Sequence, residues 1–159
     1  QGIKKPAYFA YSFLNKLGET ELANKDQRSW ICKNNNGDIQ ILLWDFTYTL
    51  PDSVNNQDYY IQDLPAKDKE FVNINISGIN AGKYLLETYK ISYKNNDAYS
   101  TYLSLNKPSQ LPKQEVALIK EKNSGLPCSS ENIEITNNNF KKEFLLKENE
   151  VVLMILKKQ

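Results

Sequence analysis

Two hydrophobic rhythms run along this chain. A two-residue period passes through "RSWICK", where Trp30 and Cys32 alternate with Ile31 and Lys33. It returns in "VNINIS", where Val72, Ile74 and Ile76 alternate with Asn73, Asn75 and Ser77. Such alternation predicts strands buried on one face. Turn residues follow each run. "NNNG" at 34–37 leads into a return strand over 39–48, and "GINAG" at 78–82 leads into a return strand over 84–93. Three more strands are predicted at 133–136, 140–146 and 151–157, with "TNNN" and "KENE" as the turns between them.

Two strands break the alternation. Ile41, Leu42, Leu43, Trp44 and Phe46 are apolar on both faces, and so is "VVLMIL" at 151–156. A strand apolar on both faces needs a layer on each side. The helical rhythm appears in three places. Near the start, Pro6 suits a first helical turn, Gly18 suits a C′ position, and Ala7, Ala10, Phe13, Leu14 and Leu17 fall on one stripe. Tyr8, Phe9 and Tyr11 carry apolar surface around the rest of that helix, which leaves no polar side for water. Ala98, Thr101, Tyr102 and Leu105 mark a second helix, with Asn96 or Asp97 as its N-cap. A third starts at Pro112, carries Val116, Leu118 and Ile119, and stops at Asn123-Ser124-Gly125. Residues 51–69, with their prolines, acids and asparagines, read as a long loop. The pattern predicts a mainly β protein: an antiparallel β-sandwich of seven or eight strands, with an N-terminal helix over 1–22 and a small helical insert at about 96–124 within a sandwich over 23–159.

Composition narrows the function classes. The 159 residues suffice for one domain with a real core, at 40% hydrophobic and 25% charged. Twenty basic against 19 acidic residues leave a net charge of +1, so no global field draws nucleic acid or an acidic membrane surface. No run approaches the ~20 apolar residues that span a bilayer. Localisation is read as cytoplasmic or secreted, with any signal peptide upstream of residue 1. Cys32 and Cys128 stand far apart and read as reduced, structural thiols.

The chain has no histidine, so neither a Ser-His-Asp nor a Cys-His arrangement can be built, and two cysteines alone leave a zinc site short of ligands. No phosphate-binding glycine loop occurs among the six glycines. Paired carboxylates stay formally open, but 19 acids make no single pair informative. The expectation is a chain without catalytic residues, metal or cofactor of its own.

The stretch "KPAYFAYSFLNKLGETELANKDQRSWICKNNNGDIQILLWDFT" resembles the segment that follows the catalytic barrel in family-39 glycoside hydrolases, the β-xylosidase family. The likeness rests on Pro6, Tyr8, Ala10, Tyr11, Phe13, Leu14, Leu17 and Gly18, then Trp30, Gly37 and Leu42 to Asp45. "YKISYKNNDAYSTYLSLNKPSQLPKQEVALIKE" is similar to a later stretch of the same family, with Asp97-Ala98 where relatives carry Asn-Ala and Asn106-Lys107-Pro108 where they carry Gly-x-Pro. The resemblance implies that the acid/base and nucleophile glutamates lie on a (β/α)8 barrel outside this chain. It implies a non-catalytic accessory domain whose partner is the catalytic barrel of the same polypeptide, with homo-oligomerisation as a further role. Tyr8, Phe9 and Tyr11 are then expected to face that barrel, while Phe13, Leu14 and Leu17 hold the helix to the sandwich. The alternative is a module for xylan-type glycans. Trp30, Trp44, Tyr59, Tyr60, Tyr84, Tyr89, Tyr93, Tyr99 and Tyr102 are the aromatic residues that could stack on sugars, and the tryptophans lie within strands, where core packing is the commoner fate. Tyr59 and Tyr60, in the polar loop, form the candidate carbohydrate contact.

Overall fold

A computed structural model describes residues 2–47 and 61–159. Its elements run α1 (Pro6–Leu14), β1 (Thr20–Glu21), β2 (Ser29–Lys33), β3 (Ile39–Trp44), β4 (Asp68–Ser77) and β5 (Gly82–Ile91). They continue through α2 (Ala98–Ser104), α3 (Lys113–Lys122), β6 (Ser129–Ile135), β7 (Asn139–Lys147) and β8 (Val151–Lys158). Every pairing is antiparallel. Six strands form one sheet in the order β1-β2-β3-β8-β5-β6, and β4 and β7 form a separate ribbon. The sandwich is thus unequal, six strands against two.

The doubly apolar strands lie at the centre of the large sheet, as their pattern requires. β8 sits between β3 and β5 with Ile41 opposite Met154 and Leu42 opposite Leu153. Ile41, Leu43, Val152, Met154 and Leu156 face the ribbon, where Ile74, Ile76, Phe140 and Leu146 close the larger core. Leu42, Leu153 and Ile155 face the other way, onto Phe9 and Phe13 of α1 and onto Tyr89 and Ile91 of β5. The molecule therefore has three layers at its middle: ribbon, sheet and helix.

Two sequence expectations fail here. β4 and β5 are not a hairpin: β4 pairs with β7, and β5 pairs with β6 and β8. The turn at 78–82 carries the chain from one layer to the other, and Gly78 N–H donates to Asn138 O at 2.8 Å, beside the matching corner between β6 and β7. Gly18 does not cap α1, which ends at Leu14 with Asn15 as C-cap. Its role is close approach: a Cβ there would lie 2.3 Å from the Lys33 carbonyl carbon. Its N–H donates to the buried Gln40 Oε1 at 3.1 Å, tying the chain after α1 to β3.

The helical insert follows the sequence closely. Asp97 caps α2, accepting from the N–H groups of Tyr99 (3.2 Å) and Ser100 (3.3 Å). Pro112 precedes α3 and buried Ile119 anchors it. Beyond α3, Gly125 adopts φ +75°, and a Cβ on it would stand 2.9 Å from Phe9 Cε1. The insert and α1 thus meet at Phe9. Cys32 is buried and Cys128 exposed, both as free thiols.

Candidate functional site

Helix α1 and the residues after it bury Ala10, Phe13 and Leu17 of the expected stripe, with Phe9 added and Leu14 left out. Phe9 and Phe13, an i, i+4 pair, point at the sheet, with Ala10 and Leu17 packed beside them. Phe9 is 1% exposed and belongs to this molecule's own core, so it does not face outward as expected. Leu14, expected to hold the helix down, is exposed. The error has a physical source: with apolar residues all around the cylinder, the sequence cannot say which stripe is inside. Phe9 and Phe13 join Leu42, Leu153 and Ile155 in one buried cluster, and Phe13 also meets Tyr89 edge-on at 6.0 Å.

The outer face remains apolar. Tyr8 is 51% and Tyr11 75% exposed. Lys4 Nζ lies 4.4 Å from the Tyr8 ring centroid, and Tyr8 stands edge-on to Phe9 at 5.5 Å. Trp30 sits on the same side of the sheet as α1, because it pairs with Leu42 in the register of β2 and β3. It packs edge-on against Trp44 at 5.4 Å, yet stays 45% exposed. Leu126, next to the glycine that packs on Phe9, is exposed as well. Tyr8, Tyr11, Leu14 and Trp30 thus leave the helix side of the sheet with more open apolar surface than a solvated face needs. Tyr59 and Tyr60 lie outside the described residues.

A buried electrostatic network occupies one end of the sandwich, where β3 and β5 finish and β8 begins. Asp45, just past β3, accepts from Thr47 Oγ1 at 2.6 Å and from Asn149 N–H at 3.1 Å. Arg28 Nη1 lies 3.4 Å and Lys69 Nζ 3.8 Å away. Burial works to raise the pKa of this carboxyl, but the Thr47 and Asn149 hydrogen bonds and the two cations outweigh it, so Asp45 is held below its ordinary value. Glu150, also buried, accepts from Lys90 Nζ at 3.0 Å and from Lys147 N–H at 3.2 Å. The two carboxylates fasten the β7–β8 turn to β3 and β5. Every close partner of either one is internal, so neither is presented to a substrate. Glu87 is likewise occupied: burial pushes it up, but Lys157 (2.8 Å) and the Tyr89 hydroxyl (2.6 Å) bring it below the usual range. Among the described residues no cluster of three or more His, Cys, Asp or Glu side chains could hold a metal, and no helix is long and apolar enough to cross a membrane.

No protein-family model matches the sequence, and neither does any curated protein. Solved structures do. The GH39 enzyme from Xanthomonas axonopodis pv. citri superposes with a TM-score of 0.91 at 24% identity, over 99% of this chain and 31% of that one. A monomeric β-xylosidase from Caulobacter crescentus CB15 gives 0.89 at 24% identity, again over 99% of this chain and 31% of that one. A bacterial orthologue of human α-L-iduronidase gives 0.73 at 13% identity, over 99% and 28%. The chain therefore has the fold of one part of these glycoside hydrolases, and spans about 31% of the length of the first two.

Proposed function

We propose that this chain is a non-catalytic accessory domain of a β-xylosidase-like family-39 glycoside hydrolase acting in xylan breakdown. In this reading it packs on a catalytic barrel of the same polypeptide and supports the enzyme's stability or oligomerisation. The observation that carries it is the fold match, nearly complete for this chain and under a third of each enzyme. A chain with this fold has no room for a (β/α)8 barrel, which takes roughly 250 residues. Its buried acids, Asp45 and Glu150, are spent on internal hydrogen bonds.

The outer face of α1 supports the same reading. Tyr8, Tyr11 and Leu14 form an exposed apolar strip on a helix whose opposite stripe is fully engaged. In this reading the occupant of that strip is the barrel; support comes from the matched enzymes, which carry more than two thirds of their length outside the region this chain resembles. A stable contact of this kind buries ~800 Å² on each partner, which an exposed helix face flanked by Trp30 can supply.

The test is direct. The purified chain is expected to show no hydrolysis of 4-nitrophenyl β-xyloside, and measurable turnover that survives further purification overturns the non-catalytic reading.

A further inference from the structure

The three connections at the network end of the sandwich enclose a cleft of about 450 Å³, within the range of small-molecule sites. One wall is the segment before β4, including Asp63 and Lys67. The opposite wall is Tyr93 with Tyr99 and Leu103 of α2, and the β7–β8 turn closes the floor with Glu148 and Asn149. The geometry points to a binding site for a neutral oligosaccharide in this cleft, away from the face of α1. It does not depend on the accessory-domain reading.

The chemistry of the lining selects the ligand class. Asp97 is spent on the α2 cap, and one oxygen of Asp63 accepts the Tyr93 hydroxyl at 3.0 Å. The Glu148 and Lys67 side chains make no hydrogen bond or ion pair with another described residue, and with Asp63 and Asp97 the lining sets three carboxylates against one ammonium. That excess of carboxylates disfavours an anion, whereas hydroxyl groups can donate to the carboxylates and accept from the ammonium. Tyr99 lines the cleft half-exposed, its ring tilted 33° against Tyr102 at 6.2 Å, and such an aromatic surface is one on which the C–H side of a pyranose packs.

The floor is held still before any ligand arrives. Asn149 adopts φ +55°, its N–H bonded to buried Asp45 and its Oδ1 accepting from Thr47 N–H at 3.0 Å. Glu148 N–H donates to Lys67 O at 3.0 Å, joining floor to wall. Asn96 Nδ2 donates to Lys90 O at 2.8 Å, and Lys90 in turn holds Glu150. Loops fixed on a rigid sheet are where ligand sites are built, since binding then costs little ordering.

Calorimetric titration of the whole chain with xylohexaose, cellohexaose and, as a cationic control, spermidine tests this assignment. The expected result is saturable binding of at least one neutral oligosaccharide, weakened about tenfold by Tyr99→Ala, the scale of one lost aromatic contact, and weakened also by Glu148→Ala. Tyr8→Ser is expected to leave it unchanged. Thermal melts verify that each variant is folded. Four results overturn it: no saturable binding of either sugar, binding undiminished in both cleft variants, binding lost in Tyr59→Ala or Tyr60→Ala but not in Tyr99→Ala, or tighter binding of spermidine. None of these bears on the hydrolysis test, so the two readings fail separately.

Discussion

The two faces of the six-stranded sheet are covered in different ways. On the ribbon side, two strands bonded only to each other close a core of fourteen buried residues, and Lys142 of β7 reaches Glu131 of β6 across one flank. On the helix side, seven buried residues form a smaller core beneath α1, and aromatic side chains stay open beside it. Both faces are built from the same strands, residue against alternate residue. The ribbon side closes the larger core and leaves Phe71 of β4 exposed on its outer surface, whereas the helix face ends in Tyr8, Tyr11 and Trp30, exposed among the described residues. The ribbon face accounts for the fold, and the helix face is where the proposed barrel contact lies.

Pairing one deletion on each face breaks or sharpens that contrast, and these deletions carry the largest expected effects. Phe9→Ala removes a ring packed against Leu42, Ile155 and Gly125 and is expected to cost about 3–5 kcal/mol. Leu156→Ala, on the ribbon side, is expected to cost about 2–5 kcal/mol. Urea unfolding followed by circular dichroism measures both. If the two layers form one cooperative unit, each variant shifts a single transition. A Phe9→Ala variant that retains the wild-type midpoint would show α1 to be an appendage.

The network at the end of the sheet comes next in size. In Asp45→Asn the amide oxygen can take the place of Oδ2 for Thr47 and Asn149, but an uncharged NH2 then faces Arg28 and Lys69 where Oδ1 stood, for an expected loss of about 1–3 kcal/mol. The pH dependence follows from the direction of the shift. The folded pKa of Asp45 lies below its unfolded value, so its contribution is present above the ordinary carboxylate range, near pH ~4. It is lost as pH falls through the lowered value. Thermal melts between neutral and acid pH should show a steeper fall for the parent chain than for Asp45→Asn; equal slopes would remove Asp45 from the acid response.

The smallest effect on stability is expected on the open strip. Tyr8→Ser and Tyr11→Ser should each change stability by no more than about 0.5 kcal/mol, while the double variant should bind less of a hydrophobic dye and self-associate less than the parent chain. Unchanged dye binding would mean that this surface is no adhesive patch and would weaken the proposed packing on a barrel.

Much of the strand and helix pattern was legible because periodicity is a local property. The alternation in 72–77, the doubly apolar runs in β3 and β8, and the Asp97 cap all appear where residue spacing put them. Pairing was less legible. Short polar turns follow β4, β6 and β7, yet each carries the chain to the other layer, and turn composition does not encode whether a chain stays in its sheet. The cleft was missed because Asp63, Tyr99 and Glu148 come from three distant connections. Its one local signal was an Asn in the left-handed region at the β7–β8 turn, where "KENE" promised a turn and nothing more.

By itself the sequence determined the element types, the need for a layer on each side of β3 and β8, and the absence of histidine-based chemistry. It also held the family resemblance that the superpositions then matched in fold. Tertiary structure alone decided that Phe9 goes inward and Leu14 outward, that β8 pairs with β3 and β5 and that β4 pairs with β7, and that Asp45 and Glu150 are consumed in holding one end together. The reason is that a side chain's rhythm is set by its neighbours in the chain. Its destination depends on which distant surface offers the better fit, and no local pattern records that.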